Sequence, residues 1–513
     1  MSIILEDRNR IIIPTWREYK TSHLSQEHLP AFIHKQKPKS IGEGLLMKFG
    51  EWKDEPNLST SLELVNSAYA SNQHQIAIDA AKFLKLHGNN FPKQFHRIIA
   101  EILGENTDEN HTISQETAEL DKLVRYIGKK INHVRKRLVE YPDNPFLWME
   151  LARLHSILGN AKKAEKGLLV AMQLSAGLNR YVVRATSRFY YHMDEYEQSS
   201  RIVRAYPNLK NDPWLLASEI AYSRKLERHT PYLKIGTQLI DSKNYSNDSI
   251  SELAAMIGTN ELYDGTLKNA RKFTNKSLLA PNDNSLAQAE WLSRHISEIH
   301  FNPWLDKIEF AYEARAHELL YTKEYQKSME EGFNWVIDQP FSKRAVAFAS
   351  YVACGIIGNY DHAVDICKFG LRTNPNTFLI LNNLTYSLAC NNQLTEAVKY
   401  FDKMGTCVDS DLDRVVYHAT DGLLDYRSGK PQSGREKYEK SIELAQKLKE
   451  EGVVLKAKMN FIREQCFAGE IDEETAMRTI TTIYKEHKAA NSDEVKLVIK
   501  KIEENMKLDN KSK

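Results

Sequence analysis

Gly358-Asn359-Tyr360-Asp361-His362-Ala363 returns 34 residues later as Asn392-Gln393-Leu394-Thr395-Glu396-Ala397. A 34-residue period with a small residue five positions after a turn describes stacked helix pairs, because each pair leaves an apolar face that only its neighbour covers. The chain therefore grows by adding units, and its 513 residues do not convert into a domain count. Such an array offers a surface for another molecule and carries no chemistry of its own.

Composition agrees. Glycine (22) and proline (15) are sparse, hydrophobic residues make up 42% and tyrosine reaches 24, too apolar for disorder and too glycine-poor for a many-turned β fold. Seventy Lys and Arg against 68 Asp and Glu leave a net charge of +2, so no global field points to nucleic acid or membrane. Cys354, Cys367, Cys390, Cys407 and Cys466 form no C-x-x-C pair, which indicates neither a disulfide framework nor a zinc knuckle and fits a reducing cytoplasm. The apolar run at the N-terminus ends at Leu5, too short for a secretory signal. The uncharged stretches 345–360 and 373–395 read as buried helices, since Pro375 and several Asn would make membrane insertion costly.

The clearest unit runs from Asn144 to Ala176. Trp148, Leu151, Ala152 and His155 precede a turn at Gly159, and Ala164, Leu168 and Ala171 follow it in register. In these positions the chain resembles the tetratricopeptide repeat family, which implies an all-α, right-handed superhelical solenoid of antiparallel helix pairs. Physical reasons accompany the pattern: Ala152 and Ala164 are small where two helices cross, Trp148 and Leu168 fill the gap between pairs, and Gly159 ends the first helix. Further copies phase on Ala316 and Pro340, on Gly358, Ala363 and Pro375, on Leu381, Leu384, Leu388, Ala397 and Phe401, and on Gly422, Gly429, Gly434 and Tyr438. Between the two good blocks the pattern is degenerate, although Asp212 is placed to cap a helix over DPWLLASEIA.

The expected organisation is a non-repeat capping segment over 1–56, a helical repeat-like region over 57–142, repeats over 143–300 that degenerate after 207, repeats over 301–490, and a C-terminal helix with a frayed tail over 491–513. No catalytic signature is present: neither H-E-x-x-H nor G-x-S-x-G occurs, and Gly429-Lys430 is followed by Pro431 rather than the Ser or Thr of a phosphate loop. An enzyme is not expected, nor a metal or cofactor, and an active site within 1–56 is a remote third possibility.

Two groups of residues are candidates for binding. The helix 120–140 sets Leu120, Val124, Ile127, Ile131, Val134 and Leu138 on one face, with Lys129, Lys130, Arg135, Lys136 and Arg137 mostly opposite, either to meet an acidic protein or nucleic-acid backbone or as a solvated face. The first helix of each pair would line a concave groove. The phasing projects Arg153, Arg184, Arg188, Tyr191 and His192 into it, a set suited to carboxylate or phosphate groups on an extended ligand. Alternatively Arg184 and Arg188 pair with Glu residues of adjacent repeats. The clamp by which some tetratricopeptide domains hold acidic chaperone tails is not matched: Asn383 takes its middle place, but Phe348, Val352, Val416 and Thr420 stand where its other polar residues belong.

The resemblance implies a cytoplasmic scaffold or adaptor that binds a protein or peptide, with nucleic acid possible but less favoured and no membrane partner. The second reading is a ligand-sensing regulatory subunit, taking a peptide or nucleic acid, in a bacterial stress or phage-defence module.

Overall fold

The computed structural model describes residues 10–18, 43–70, 74–87, 99, 102–103, 115–242, 244–486 and 496–503, and every regular element among them is helical. Two compact units separate. One contains residues 10–17, 115–123 and the described residues from Asp143 onward; the other contains the described parts of 18–113 and 124–142.

The large unit is an all-α stack of antiparallel helix pairs. Pro145–Ile157 with Ala161–Leu174, Arg180–His192 with Tyr196–Arg204, Pro213–Lys225 with Tyr232–Asp241, and Asn247–Asp264 with Leu267–Ser277 form the first four. Asp283–Ser293 stands as a first helix followed by a short 3-10 turn. Then come Tyr312–Tyr321 with Tyr325–Asp338, Lys343–Tyr351 with Tyr360–Gly370, Phe378–Cys390 with Leu394–Gly405, Asp411–Arg427 with Pro431–Lys447, and Glu451–Phe467 with Glu473–Glu486. The degenerate stretch thus keeps the hairpin architecture while losing its sequence markers. Asp212 caps its helix as expected, its carboxylate accepting from the amides of Trp214 and Leu215.

Small residues sit where helices meet. Ala152, Ala164 and Ala171 are fully covered, and a Cβ added to Gly167 would lie 3.1 Å from that of Ala152. Leu168 is likewise buried, whereas Trp148 is only half-buried, so less of the pair-to-pair gap depends on it than its place in the repeat suggests.

Most hairpins turn through one residue of positive φ: Gly159, Asp194, Glu227, Lys323, Gly358, Asn392, Gly429 and Gly469. That single left-handed residue closes the first helix and aims the second back along it. Gly429 belongs to this series, which accounts for the glycine before Lys430.

The uncharged stretches are interior helices, with Ala345, Val346, Ala349, Val352, Ile380, Leu381, Leu384 and Leu388 inaccessible. No helix among the described residues is long and apolar enough to cross a membrane.

In the small unit, Glu43–Asp54, Leu58–Ala70 and His74–His87 pack Leu64, Ala68, Ala77, Ala80, Ala81 and Leu84 into a separate core. The helix Gln115–Glu140 divides between the units near residue 124. The C-terminal helix expected over 491–513 is described at 496–503, where Leu497, Val498 and Ile502 are buried; the tail beyond lies outside the described residues.

Candidate functional site: an inner face occupied by residues 10–17

The first helices Arg180–His192, Pro213–Lys225, Asn247–Asp264, Asp283–Ser293 and Tyr312–Tyr321 all contribute to one face of the large unit, termed the inner face, against which residues 10–17 lie without regular secondary structure. The sequence Arg-Ile-Ile-Ile-Pro-Thr-Trp-Arg explains why it is held there. Ile11 and Ile12 enter the core with Val183, Leu216, Tyr222, Ile250 and Leu253, and Trp16 packs on Phe341 with ring centroids 5.8 Å apart. Hiding such side chains from water is worth roughly 1.5–3 kcal/mol each.

The two arginines that bracket this apolar run meet carboxylates. Arg10 pairs with Glu313 and lies 3.6 Å from Glu290, while Arg17 bonds Asp338 through both Nε (2.7 Å) and Nη2 (2.6 Å) and reaches Asp283 at 2.7 Å. Two side chains also grip the segment's backbone: Gln288 Nε2 donates to the Arg10 carbonyl at 3.3 Å and Tyr181 Oη to the Arg17 carbonyl at 2.8 Å. Burial raises the Asp283 carboxyl above the usual range although Arg17 opposes the shift; Glu290 is raised by burial too, against Arg10 and Arg294. Residues 10–17, within the segment read as a cap, are therefore an interior element of the large unit.

The side chains expected in the groove sort into three situations. Arg153 is closed in a two-bond pair with Glu150 on its own helix, at 2.8 and 2.7 Å. Arg184 pairs with Glu252 of a later repeat and stacks over Trp214 at 4.9 Å. Arg188 is different: it is only 4% exposed, lies between Phe341 (5.1 Å) and Tyr191 (5.9 Å), and meets no carboxylate among the described residues. Its Nε is buried without a hydrogen-bond partner, and its pKa is pushed down to about 10, first by burial and then by Arg344. Tyr191 stacks on Tyr222 at 5.7 Å, and His192 meets the edge of Phe341. Four of the five thus share the helix Arg180–His192, and two of them, Arg188 and His192, lie against Phe341.

Phe341 is the meeting point of this region, touching Trp16, Arg188 and His192 while only 1% exposed. Its position brings the pair at 180–204 against the turn before Lys343, where Lys343 pairs with Asp194. The large unit therefore closes on itself across about four intervening repeats. Nothing in the repeat register marks that closure.

On the helix Gln115–Glu140, Ile127, Ile131, Val134 and Leu138 are buried as the pattern predicts. Lys129, Arg135 and Lys136 are exposed; Lys130 and Arg137 are half-covered, with Lys130 paired to Glu18. At the position of the chaperone clamp, Asn383 is wholly buried and donates to Ser350 at 3.1 Å, so it is spent on packing. Among the described residues no group of three or more metal-ligating side chains converges.

The N-terminal segment carried a signal that periodicity does not use. Three consecutive isoleucines and a tryptophan in a stretch without repeats demand burial somewhere, and the flanking arginines demand acidic partners.

No protein-family model and no curated protein matches the chain. Solved structures that it resembles include yeast Tom70, at 14% identity over 91% of this chain and 96% of that one with a TM-score of 0.33. Another is the APC/C hetero-tetramer Cut9-Hcn1, at 11% identity over 89% and 98% with a TM-score of 0.39. Independently of these, the stacked hairpins, their small crossing residues and their recurring left-handed turns make this chain an all-α helical-repeat protein.

Proposed function

We propose that the protein is a non-enzymatic, cytoplasmic scaffold whose inner face binds an irregular peptide segment of a protein partner. One observation carries the reading: the inner face already holds such a segment, residues 10–17, by side-chain grips on two of its carbonyls and acidic pairs on its arginines. Backbone grips accept any sequence in that conformation, while the charged pairs and the apolar slot select among sequences. The basic face at Lys129, Lys130, Arg135, Lys136 and Arg137 is a second surface, suited to an acidic partner.

A photo-crosslinking residue at Trp214, half-buried on a first helix, tests the site; a control at Leu169 sits exposed on a second helix. In cells, the partner's crosslinks should arise from position 214. Crosslinks that arise from 169 and not from 214 would place the binding surface elsewhere.

A further inference from the structure

The strip of inner face that holds residues 10–17 is acidic: Glu290 and Glu313 face Arg10, and Asp283 and Asp338 face Arg17. Glu290 keeps Arg294 and Glu313 keeps Arg344 when Arg10 is set aside, but Asp283 and Asp338 have no cation other than Arg17 among the described residues. An empty strip would leave two part-buried carboxylates uncompensated, so the site requires a cationic occupant. Its two acidic ends are served by arginines seven positions apart, with aliphatic side chains between them and a tryptophan beside the second.

The present occupant is attached in a way that permits exchange. Residues 11–17 make no backbone–backbone hydrogen bond among the described residues; ion pairs, two side-chain grips and apolar contacts hold them. Removing them breaks no helical ladder, which separates them from the hairpins on either side.

We infer that this strip is a docking site for a basic peptide segment of a partner protein, one carrying two arginines about seven residues apart around an aliphatic–tryptophan run, and that residues 10–17 are a resident occupant which the partner displaces. The inference rests on the inner face being the peptide site and adds the ligand class. Because the resident segment is tethered, its effective concentration is on the order of millimolar, and a competing segment succeeds only at comparable occupancy or higher affinity. An acidic peptide, the other ligand a tetratricopeptide-like groove could take, meets like charge at Asp283 and Asp338.

The test uses the full-length chain and an isotope-labelled peptide spanning residues 8–18, with hydroxyl-radical oxidation of the chain's own Trp16 read by mass spectrometry and the equally buried Trp335 as control. The expected result is slow oxidation of Trp16 in the free chain, accelerated at least tenfold by millimolar peptide, while Trp335 stays protected. A second peptide with glutamate at the positions of Arg10 and Arg17 should leave the oxidation unchanged. Equal effects of the two peptides, no effect of the first, or an unprotected Trp16 in the free chain would each overturn the inference. A partner that still crosslinks through position 214 would then show that the groove reading survives without this ligand class.

Discussion

Gly159 lies so close to Arg372 that a Cβ added to the glycine would stand 2.0 Å from the Arg372 carbonyl oxygen. Two positions in separate repeats are thereby held in backbone contact, and Gly159 is also at φ +73°. Gly159→Ala should destabilise the protein by about 1–3 kcal/mol, through a left-handed backbone and through separation of the two backbone segments. Gly429→Ala isolates the first term, since Gly429 has φ +75° and open space around it, and should cost only about 1–2 kcal/mol. Denaturant melts of the two variants check this. Equal losses would mean that the contact at Arg372 gives way freely.

Arg17 is the sole cation facing Asp283 and Asp338 among the described residues, and Arg17→Ala should cost roughly 2–4 kcal/mol at neutral pH. The loss should shrink on acidification. Burial already raises the Asp283 carboxyl in the folded state, and removing Arg17 raises it further, so the folded variant binds a proton more readily than the unfolded chain. Stability of the variant therefore falls as pH rises through that raised pKa and recovers below the unfolded value near 3.9. Melts of wild type and variant between pH 4 and 8 should converge toward the acidic end. A constant difference would contradict the assignment.

His192 behaves in the opposite sense. Burial, reinforced by Arg188 and Lys343, pushes its pKa down to about 3, so the folded state resists a proton that the unfolded chain accepts near pH 6.5. Its contribution to stability is present above about pH 6.5 and is lost as pH falls toward 3. His192→Gln, which stays neutral, should flatten the decline in stability between pH 6 and 4. An unchanged slope would show that other groups govern acid lability.

Arg188 should prove dispensable for folding. A buried guanidinium without a carboxylate gains only from the faces of Phe341 and Tyr191, so Arg188→Leu should leave stability unchanged or raise it by about 1–2 kcal/mol. The contrast with Arg17→Ala is diagnostic, because Arg17 lies against the same face that carries Arg188. If the arginine is retained for an anionic group on a partner, the stable Arg188→Leu protein should bind that partner at least tenfold more weakly. A large loss of stability would mean that Arg188 is structural.

Ala164 is inaccessible at a helix crossing, and Ala164→Leu should cost about 1–3 kcal/mol by forcing the hairpin apart. Trp148→Ala, at a half-buried position, should fall below the 3–5 kcal/mol of a fully buried tryptophan. Comparative melts of the two variants check both.

The helix pairs were legible because repeat packing is local: small residues such as Ala152 and Ala164 mark where helices cross within a hairpin, and a 34-residue period records that directly. Asp212 could be read as a cap for the same reason, its bonds lying two and three residues away. The turns at Asp194, Glu227 and Lys323 could not, because packing forces a left-handed backbone on residues that do not advertise it. Groove residues were only partly legible. Periodicity fixes which face a side chain occupies, but the partners Glu252 for Arg184 and Phe341 for Arg188 come from distant repeats.

By itself, then, the sequence determined that the chain forms helical hairpins, since hydrophobic spacing and small crossing residues act over tens of positions. Only the tertiary structure decided that Gly159 meets Arg372 and that Arg17 meets Asp283 and Asp338. Those pairings depend on how small rotations accumulate from one repeat to the next, and no single repeat encodes their sum.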